Sequence, residues 1–176
     1  MLTQRIADLV GMREGISFAR GSTALYCLLS AISDRNGVGE VIIPALCCES
    51  VALAAIYAGH KPRFAESSAD SLCITPGTVE PLMSGRTRAV IVVHIFGSDA
   101  NAASFDLLRR KYPQVVFIED IAHSLGGRDC NNQLLGGAMD YTLLSFSNSK
   151  IIGGDGGMLL LGSKLFDLVE ISTRIP

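Results

Sequence analysis

Lys150 is the residue whose type and setting most clearly suggest chemistry, in the stretch SFSNSKIIGGDGGMLLL of residues 145–161. Four glycines follow it, at positions 153, 154, 156 and 157. A lysine amine can form a Schiff base with a carbonyl compound, although a lone lysine is more often a surface charge. The glycine run leads into a strand-like segment rather than a helix, so it is not a dinucleotide fingerprint, and no Walker motif is present.

Further candidates stand at the ends of apolar segments. Asp120 closes VVFIED, His123 follows three residues later, and His94 follows AVIVV. Ligands of α/β proteins bind at the carboxyl edge of a parallel sheet, so these side chains could share a site with Lys150. Read separately, Asp120 could cap the turn that follows it. Each histidine, taken separately, is more often a structural hydrogen-bonding residue than a catalytic one.

An anion site is indicated by ARGSTALYCLLSAI, residues 19–32, where small residues open a helix directly after a strand. The residues at this start are Gly21, Ser22 and Thr23. Free backbone N–H groups and the helix dipole favour a phosphate there. Ser22 or Thr23 could also serve only as the helix cap, which needs no ligand.

Together, a phosphate cradle, a strand-end carboxylate and a lysine are what a pyridoxal phosphate (PLP) enzyme needs. Lys150 would form the Schiff base with the cofactor's aldehyde. Asp120 would keep a proton on the pyridine nitrogen, so that the ring can accept electrons. The combination therefore predicts a PLP site, which none of these residues predicts alone.

Six stretches in a fixed order carry a resemblance to a known family. They are GSTAL, VIIPALCCESVALAAIYAGHKPRF, AVIVVHIFG, FIEDIAHSLGG, GGAMDYTLLSFSNSK and GGDGGMLLL. With them the chain resembles the sugar aminotransferases of the DegT/StrS type, which belong to fold type I of the PLP enzymes. The resemblance implies an α/β fold of three layers, α/β/α, with a mostly parallel sheet. It also implies that residues 1–176 are one cofactor-binding large domain, incomplete and without the family's small domain.

The resemblance assigns roles to single residues. Lys150 matches the Schiff-base lysine that closes the motif Ser-Phe-x-x-x-Lys, and Asp120 matches the partner of the pyridinium nitrogen. His123 matches a Gln or His that contacts the cofactor ring near its phenolic oxygen. The phosphate-binding positions of the family correspond to Gly21, Ser22, Thr23 and Ser145. Cys48 stands where the family usually has an aromatic residue that stacks on the cofactor, so this stacking is weakened or supplied otherwise.

The elements that must position these residues alternate along the chain. Apolar strand-like segments occur at 16–19, 41–43, 89–95, 115–119, 141–146 and 158–161. Helical patterns occur at 22–32, 49–59, 101–113 and 163–173, and residues 2–10 place apolar side chains on one helical face. This alternation predicts right-handed crossovers and a mostly parallel sheet covered on both faces.

Composition excludes several other classes. The chain has 176 residues, 48% of them hydrophobic, and a net charge of −2, which does not favour nucleic acid or an anionic membrane as a partner. No apolar stretch is long enough to span a bilayer, and residues 1–15 do not resemble a signal peptide. The five cysteines are expected to be buried free thiols of a cytoplasmic protein rather than disulfides or metal ligands.

The expected function is amino transfer from an amino acid, with glutamate as the donor in much of the family, to a ketosugar nucleotide. Charged residues make up only 18% of the chain, and the family's site lies between subunits, so a homodimer is expected. Two alternatives stay open. One is a PLP-domain remnant that folds and oligomerises without turnover, and the other is a different fold-type-I enzyme, such as a desulfurase or aldolase, which the SFSNSK spacing disfavours.

Overall fold

The computed structural model describes residues 2–162, 166 and 168–174. Seven strands are described: β1 Glu14–Phe18, β2 Glu40–Pro44, β3 Lys61–Ala65, β4 Thr87–Val93, β5 Val116–Asp120, β6 Tyr141–Ser145 and β7 Gly157–Leu161. The α-helices are α1 Leu2–Val10, α2 Gly21–Asn36, α3 Glu49–Tyr57, α4 Pro76–Val79, α5 Asp106–Lys111 and α6 Leu168–Ser172. Short 3₁₀ turns occupy Glu80–Leu82, Ile95–Gly97 and Ala102–Phe105.

The strands form one sheet in the order β1-β7-β6-β5-β4-β2-β3. Strands β6, β5, β4, β2 and β3 are parallel neighbours, whereas β7 runs antiparallel to both β6 and β1. Six strands therefore point one way and β7 points the other. As a result Gly157, at the start of β7, lies beside Ser145 and Phe18, which end β6 and β1.

The two faces of the sheet are both covered, because alternate residues of the central strands enter different clusters. In β7, Leu159 and Leu161 belong to the large core that includes α2, whereas Met158 and Leu160 pack with Ala7 of α1. All five residues of β2, β5 and β7 are buried. Continuous apolar burial of this kind is typical of parallel strands between two helical layers. The expected three-layer α/β/α architecture with a mostly parallel sheet is confirmed.

Four details differ from the sequence expectations. Strand β3 was not expected, because KPRFA is polar and contains Pro62, which an edge strand tolerates. The helix expected over 101–113 is a 3₁₀ turn followed by the short α5. The strand expected to reach residue 95 ends at Val93, before the turn Ile95–Gly97. The helix expected over 163–173 is described only from residue 168.

The start of α2 also differs in its capping. The helix begins at Gly21, its N-cap is Arg20, and no side chain caps it. Ser22 and Thr23 thus lie inside the first turn, and the expectation that one of them is the cap is wrong. The first backbone N–H groups of this 16-residue helix therefore donate no hydrogen bond to a capping side chain.

The cysteines are only partly as expected. All five are free thiols, but Cys27 and Cys73 alone are buried, Cys47 is half-buried, and Cys48 and Cys130 are exposed. Among the described residues no group of three histidine, cysteine or acidic side chains is arranged to hold a metal ion. No helix in the described part of the chain is long and apolar enough to cross a membrane.

Candidate active site

A cavity of about 230 Å³ opens at the carboxyl edge of the sheet. Its wall includes the first turn of α2, the ends of β5 and β6, and the loop that carries Lys150. Of the residues selected from the sequence, those that line it are Gly21, Ser22, Cys48, Asp120, His123, Ser145 and Lys150. Thr23, which was also selected from the sequence, is not among the lining residues.

Lys150 and His123 form the closest polar contact of the cavity. Lys150 Nζ lies 2.5 Å from His123 Nε2, although 27 positions separate the two residues. Burial and then the positive charge of Lys150 lower the pKa of His123 below its usual value. The imidazole is therefore neutral around pH 7, and its Nε2 can accept a hydrogen bond from Lys150 Nζ.

Asp120 lies at the end of β5 with its side chain almost fully enclosed. Its Oδ1 accepts a hydrogen bond of 2.9 Å from the backbone N–H of Ala122, so it does cap the following turn. Burial raises the pKa of Asp120, while the Ala122 N–H and the charges of Lys150 and His94 act in the opposite direction. A buried carboxylate of this kind is ready to be stabilised by a further positive charge.

The first turn of α2 approaches Ser145 very closely, and this closeness depends on glycine at two positions. A Cβ on residue 21 would lie 3.0 Å from the Leu144 carbonyl oxygen and 3.0 Å from Ser145 Cβ. A Cβ on residue 157 would overlap the backbone of Arg20 and Gly21, with Gly21 Cα at 2.6 Å. Gly157 therefore lets β7 lie directly against the start of α2. Gly156 beside it has φ +132°, a conformation that favours glycine.

The adjacent cysteines have different surroundings. Cys48 lines the cavity and accepts a hydrogen bond of 3.2 Å from the Ser50 hydroxyl. Burial, and then the charges of Asp120 and Cys48, raise the pKa of Cys47 to about 11, so its thiol stays protonated. Neither thiol side chain offers a flat surface like that of the aromatic ring which the resemblance implies at the position of Cys48.

His94 has a structural role. Its Nδ1 accepts from the Ala100 backbone N–H at 3.1 Å, and its Nε2 donates to Glu119 Oε1 at 3.0 Å. Glu119 also accepts from the backbone N–H groups of Gly136 and Ala138. His94 is fully buried and is absent from the cavity lining, so the structural alternative holds for this histidine.

Phe96 is a neighbour of the site that sequence reasoning missed. Its ring stacks on the His123 imidazole, with centroids 5.8 Å apart and planes 20° apart. Its backbone is left-handed, at φ 53°, within the turn Ile95–Gly97. An aromatic residue before glycine at the end of a strand, as in HIFG, was the available signal.

The donors and acceptors at this edge suit a phosphorylated aromatic ligand. The free N–H groups of α2 and the hydroxyls of Ser22 and Ser145 could receive a phosphate. Asp120 could pair with a protonated ring nitrogen, and Lys150 provides an amine. The arrangement can hold such a ring by both ends and present a nucleophile to it.

Comparisons with known proteins point in the same direction. A family model described as the DegT/DnrJ/EryC1/StrS aminotransferase family matches residues 1–167. A UDP-N-acetyl-3-dehydro-α-D-glucosamine 3-aminotransferase of Acidithiobacillus ferrooxidans is 34% identical over 161 residues, which cover 90% of this chain and 43% of that protein. The chain thus spans less than half the length of this curated relative.

Solved structures share the fold. The Helicobacter pylori aminotransferase PseC, involved in the biosynthesis of pseudoaminic acid, superposes with a TM-score of 0.83 at 23% identity, covering 97% of this chain and 44% of that one. NtdA of Bacillus subtilis, solved with bound cofactor PMP, superposes with a TM-score of 0.80 at 23% identity, covering 97% and 37%.

Proposed function

Because the chain belongs to the DegT/DnrJ/EryC1/StrS aminotransferase family, we propose that it forms the cofactor-binding part of a PLP-dependent sugar aminotransferase. The observation that carries the proposal is the meeting of Lys150, His123 and Asp120 in one cavity beside the uncapped start of α2. Residues far apart in the chain converge there on the groups that such a reaction requires.

PLP, when bound, supplies an aldehyde that condenses with amines and a ring that accepts electrons. Asp120 holds the proton on the ring nitrogen, because its enclosed carboxylate gains most from a cationic partner. The first N–H groups of α2, with Ser22 and Ser145, bind the phosphate. The absence of a Cβ at Gly21 and Gly157 keeps this cradle open and close to the sheet.

Lys150 has two tasks in this proposal. Its amine binds the cofactor between turnovers, and once released it moves a proton at the α-carbon of the amino donor. His123 holds Nζ at 2.5 Å and limits where the amine can go. Positioning of a base within hydrogen-bond reach of its target is a large part of such catalysis.

The substrates follow from relatives rather than from the cavity. The Acidithiobacillus relative is named for amino transfer at C3 of a UDP-sugar, and a Pseudomonas aeruginosa relative, 32% identical, for amino transfer to a UDP-2-acetamido-2-deoxy-3-oxo-D-glucuronate. We propose a ketosugar nucleotide as the acceptor and an amino acid, glutamate, as the donor.

A cytoplasmic homodimer is part of the same proposal. Exposed apolar side chains on and beside α3 include Leu53, Ile56 and Tyr57, with exposures of 42%, 52% and 73%. Apolar surface of this kind is a frequent mark of an interface. Light scattering of the purified chain tests the dimer, and a monomer at all concentrations would contradict it.

Borohydride trapping tests the cofactor role of Lys150. The chain is incubated with PLP, reduced and digested, and we expect the pyridoxyl label on the peptide that contains Lys150. Lys150→Ala should remove this label, whereas the matched control Lys61→Ala, at an exposed position, should keep it. A label that stays on the other lysines, Lys61, Lys111 or Lys164, in the unmutated chain would refute the assignment.

A further inference from the structure

Arg20 brings a second positive charge to the active-site cavity, and neither the sequence motifs nor the resemblance gives it a role. The lysine and arginine side chains that line the cavity are those of Arg20 and Lys150. In the proposed function, the amine of Lys150 is used for the aldehyde and for proton transfer. Arg20 has no task there, although its side chain is exposed and borders the same space.

The backbone of Arg20 is held where β1, β7 and α2 meet. Arg20 is the N-cap of α2, with extended φ and ψ of −150° and 155°, and its carbonyl accepts a hydrogen bond of 3.1 Å from the Ala24 N–H. Its backbone also forms a β-bridge with Gly156. Both anchors are main-chain contacts, so neither of them uses the guanidinium. The main chain therefore fixes Arg20 beside the helix start and leaves its side chain for a ligand.

Several other arginines are already paired within the protein. In the part of the chain that the structure describes, the guanidinium of Arg20 has neither an ion pair nor a hydrogen bond. The arginines that pair with a carboxylate there are Arg13, Arg63, Arg86, Arg109, Arg110 and Arg174. An unpaired arginine on a surface is ordinary. One that borders a binding cavity, however, can pair with an anionic ligand without first breaking another contact.

A phosphate monoester at the start of α2 needs more positive charge than the helix provides. The ester carries a charge of about −1.5 to −2 at pH 7, whereas a helix start acts as roughly +0.5. The hydroxyls of Ser22 and Ser145 add hydrogen bonds but no charge, and the lining carboxylates of Asp120 and Asp155 add negative charge. A guanidinium presents paired N–H donors that fit phosphate oxygens. Arg20 can therefore supply both the missing charge and these donors.

From this we propose that Arg20 binds the phosphate group of the ligand at the start of α2, and that it makes the site prefer a phosphorylated ring to the unphosphorylated one. The proposal rests on the proposed function for the identity of the ring. The contact is a charge-assisted hydrogen bond from the guanidinium to a phosphate oxygen. Because the side chain of Arg20 is exposed, solvent and salt screen this contact, and its effect on affinity is moderate.

The experiment is a fluorescence titration of the chain with pyridoxamine phosphate and with pyridoxamine, two amines whose binding needs no Schiff base with Lys150. Arg20→Gln should weaken the binding of pyridoxamine phosphate about tenfold, the effect of losing one charged hydrogen bond, and should leave that of pyridoxamine unchanged. Arg20→Lys, which keeps the charge without the paired donors, should lie between the two. The control Arg5→Gln, at an exposed position of α1 outside the cavity lining, should bind both ligands like the unmutated chain. Equal losses for both ligands in Arg20→Gln, or no loss, would overturn the proposal.

Calorimetric titration with inorganic phosphate tests the same contact without the ring. If phosphate binding depends on Arg20 but PLP never labels Lys150 in the unmutated chain, the proposed function fails and the role of Arg20 stands. If Lys150 is labelled but Arg20→Gln binds pyridoxamine phosphate normally, the role of Arg20 fails and the proposed function stands. If Arg20→Gln weakens only the response to glutamate, the guanidinium binds the carboxylate of the donor, and the assignment to phosphate is overturned.

Discussion

At the amino edge of the sheet, the carboxylate of Glu40 at the start of β2 has partners on three sides. Ser84 Oγ donates to it at 3.0 Å, Arg86 at 2.8 Å and Arg63 at 3.4 Å. At the carboxyl edge, the equally enclosed Asp120 has one backbone N–H from Ala122. Both are acidic residues at strand ends, so the difference lies in what the surrounding chain provides.

The pKa values of the two carboxyls shift in opposite directions. Burial raises the pKa of Glu40, but the hydrogen bond from Ser84 and the charges of Arg86 and Arg63 together outweigh it, and the pKa is lowered. For Asp120 burial prevails, and the pKa is raised. The surroundings of Glu40 therefore favour its carboxylate, whereas those of Asp120 disfavour the charged form. The proposed role of Asp120 as the partner of a cofactor cation agrees with this difference.

The largest effect is expected at Asp120. Asp120→Asn should slow proton transfer by about 1000-fold, because a neutral amide cannot hold the ring nitrogen protonated and the loss of one preorganised electrostatic partner has this size. Its folding stability should stay equal or rise at neutral pH, since the raised pKa makes the carboxylate a cost above the unfolded pKa. Single-turnover absorbance with glutamate and urea unfolding measure the two. Asp70→Asn, at an exposed position, is the control.

Glu40→Gln should have the opposite effects, a loss of folding stability without a loss of reactivity at Lys150. Removal of the Glu40 charge should lower the free energy of unfolding by about 1.5 kcal/mol at pH 7, because both arginine partners are partly or largely exposed to solvent. PLP labelling of Lys150 should stay unchanged. Because the folded pKa of Glu40 is lowered, its contribution is present above the unfolded pKa and is lost as pH falls. The difference between the variant and the unmutated chain should therefore shrink below about pH 4.5. Urea unfolding at several pH values measures this, with Glu66→Gln as the exposed control. A stability difference that does not change with pH would contradict the prediction.

Gly157→Ala should lower both folding stability and PLP binding, because it changes the geometry of the carboxyl edge rather than its charge. The new Cβ would force β7 away from the start of α2, with an expected loss of about 2 kcal/mol in stability and weaker binding of PLP. Gly154→Ala is the matched control, since its nearest neighbour would be at 3.7 Å, an ordinary contact. Equal behaviour of the two variants in thermal unfolding and PLP titration would show that the close approach is unimportant.

The smallest effect is expected from His60. Burial, with a further contribution from Arg88, lowers the pKa of His60, and the hydrogen bonds to Leu29 and Gly39 oppose this only in part. The neutral ring is thus favoured by folding, and its stabilisation is present above the unfolded pKa and is lost as pH falls below it. Between about pH 7.5 and 5.5 the chain should lose roughly 1 kcal/mol. His60→Gln should remove most of this pH dependence, as urea unfolding at the two pH values can test.

Much of the carboxyl edge was predictable, because its signals are local. Asp120 ends an apolar strand, Lys150 lies in the loop after another, and Gly21 opens a helix that follows a third, so the carboxyl edge of the sheet is where all three are expected. What the sequence pattern did not reveal depends on tertiary contacts. Gly157 matters only because α2 starts beside β7, and Thr23 lies inside the first turn because the N-cap is Arg20, three positions before it.

The amino edge was less accessible to sequence reasoning. Strand β3 lies at the end of the sheet, where Lys61, Pro62 and Arg63 are tolerated because one side of the strand needs no hydrogen-bonding neighbour. The partners of Glu40 are 23, 44 and 46 positions away, and no periodicity connects them. Phe96 was missed for the same reason, since its partner His123 belongs to another strand end.

The position of β7 between β6 and β1 has a consequence for biosynthesis. Among the described strands β1 pairs only with β7, and each of its residues lies 139 to 147 positions before its partner in β7. During synthesis from the amino terminus, β2 to β6 can assemble early. Strand β1 and the first turn of α2 can reach their final positions only after β7 has been made. Contacts so distant in sequence also close slowly. The close approach of Gly157 to the start of α2 can therefore form only after β7 has been synthesised.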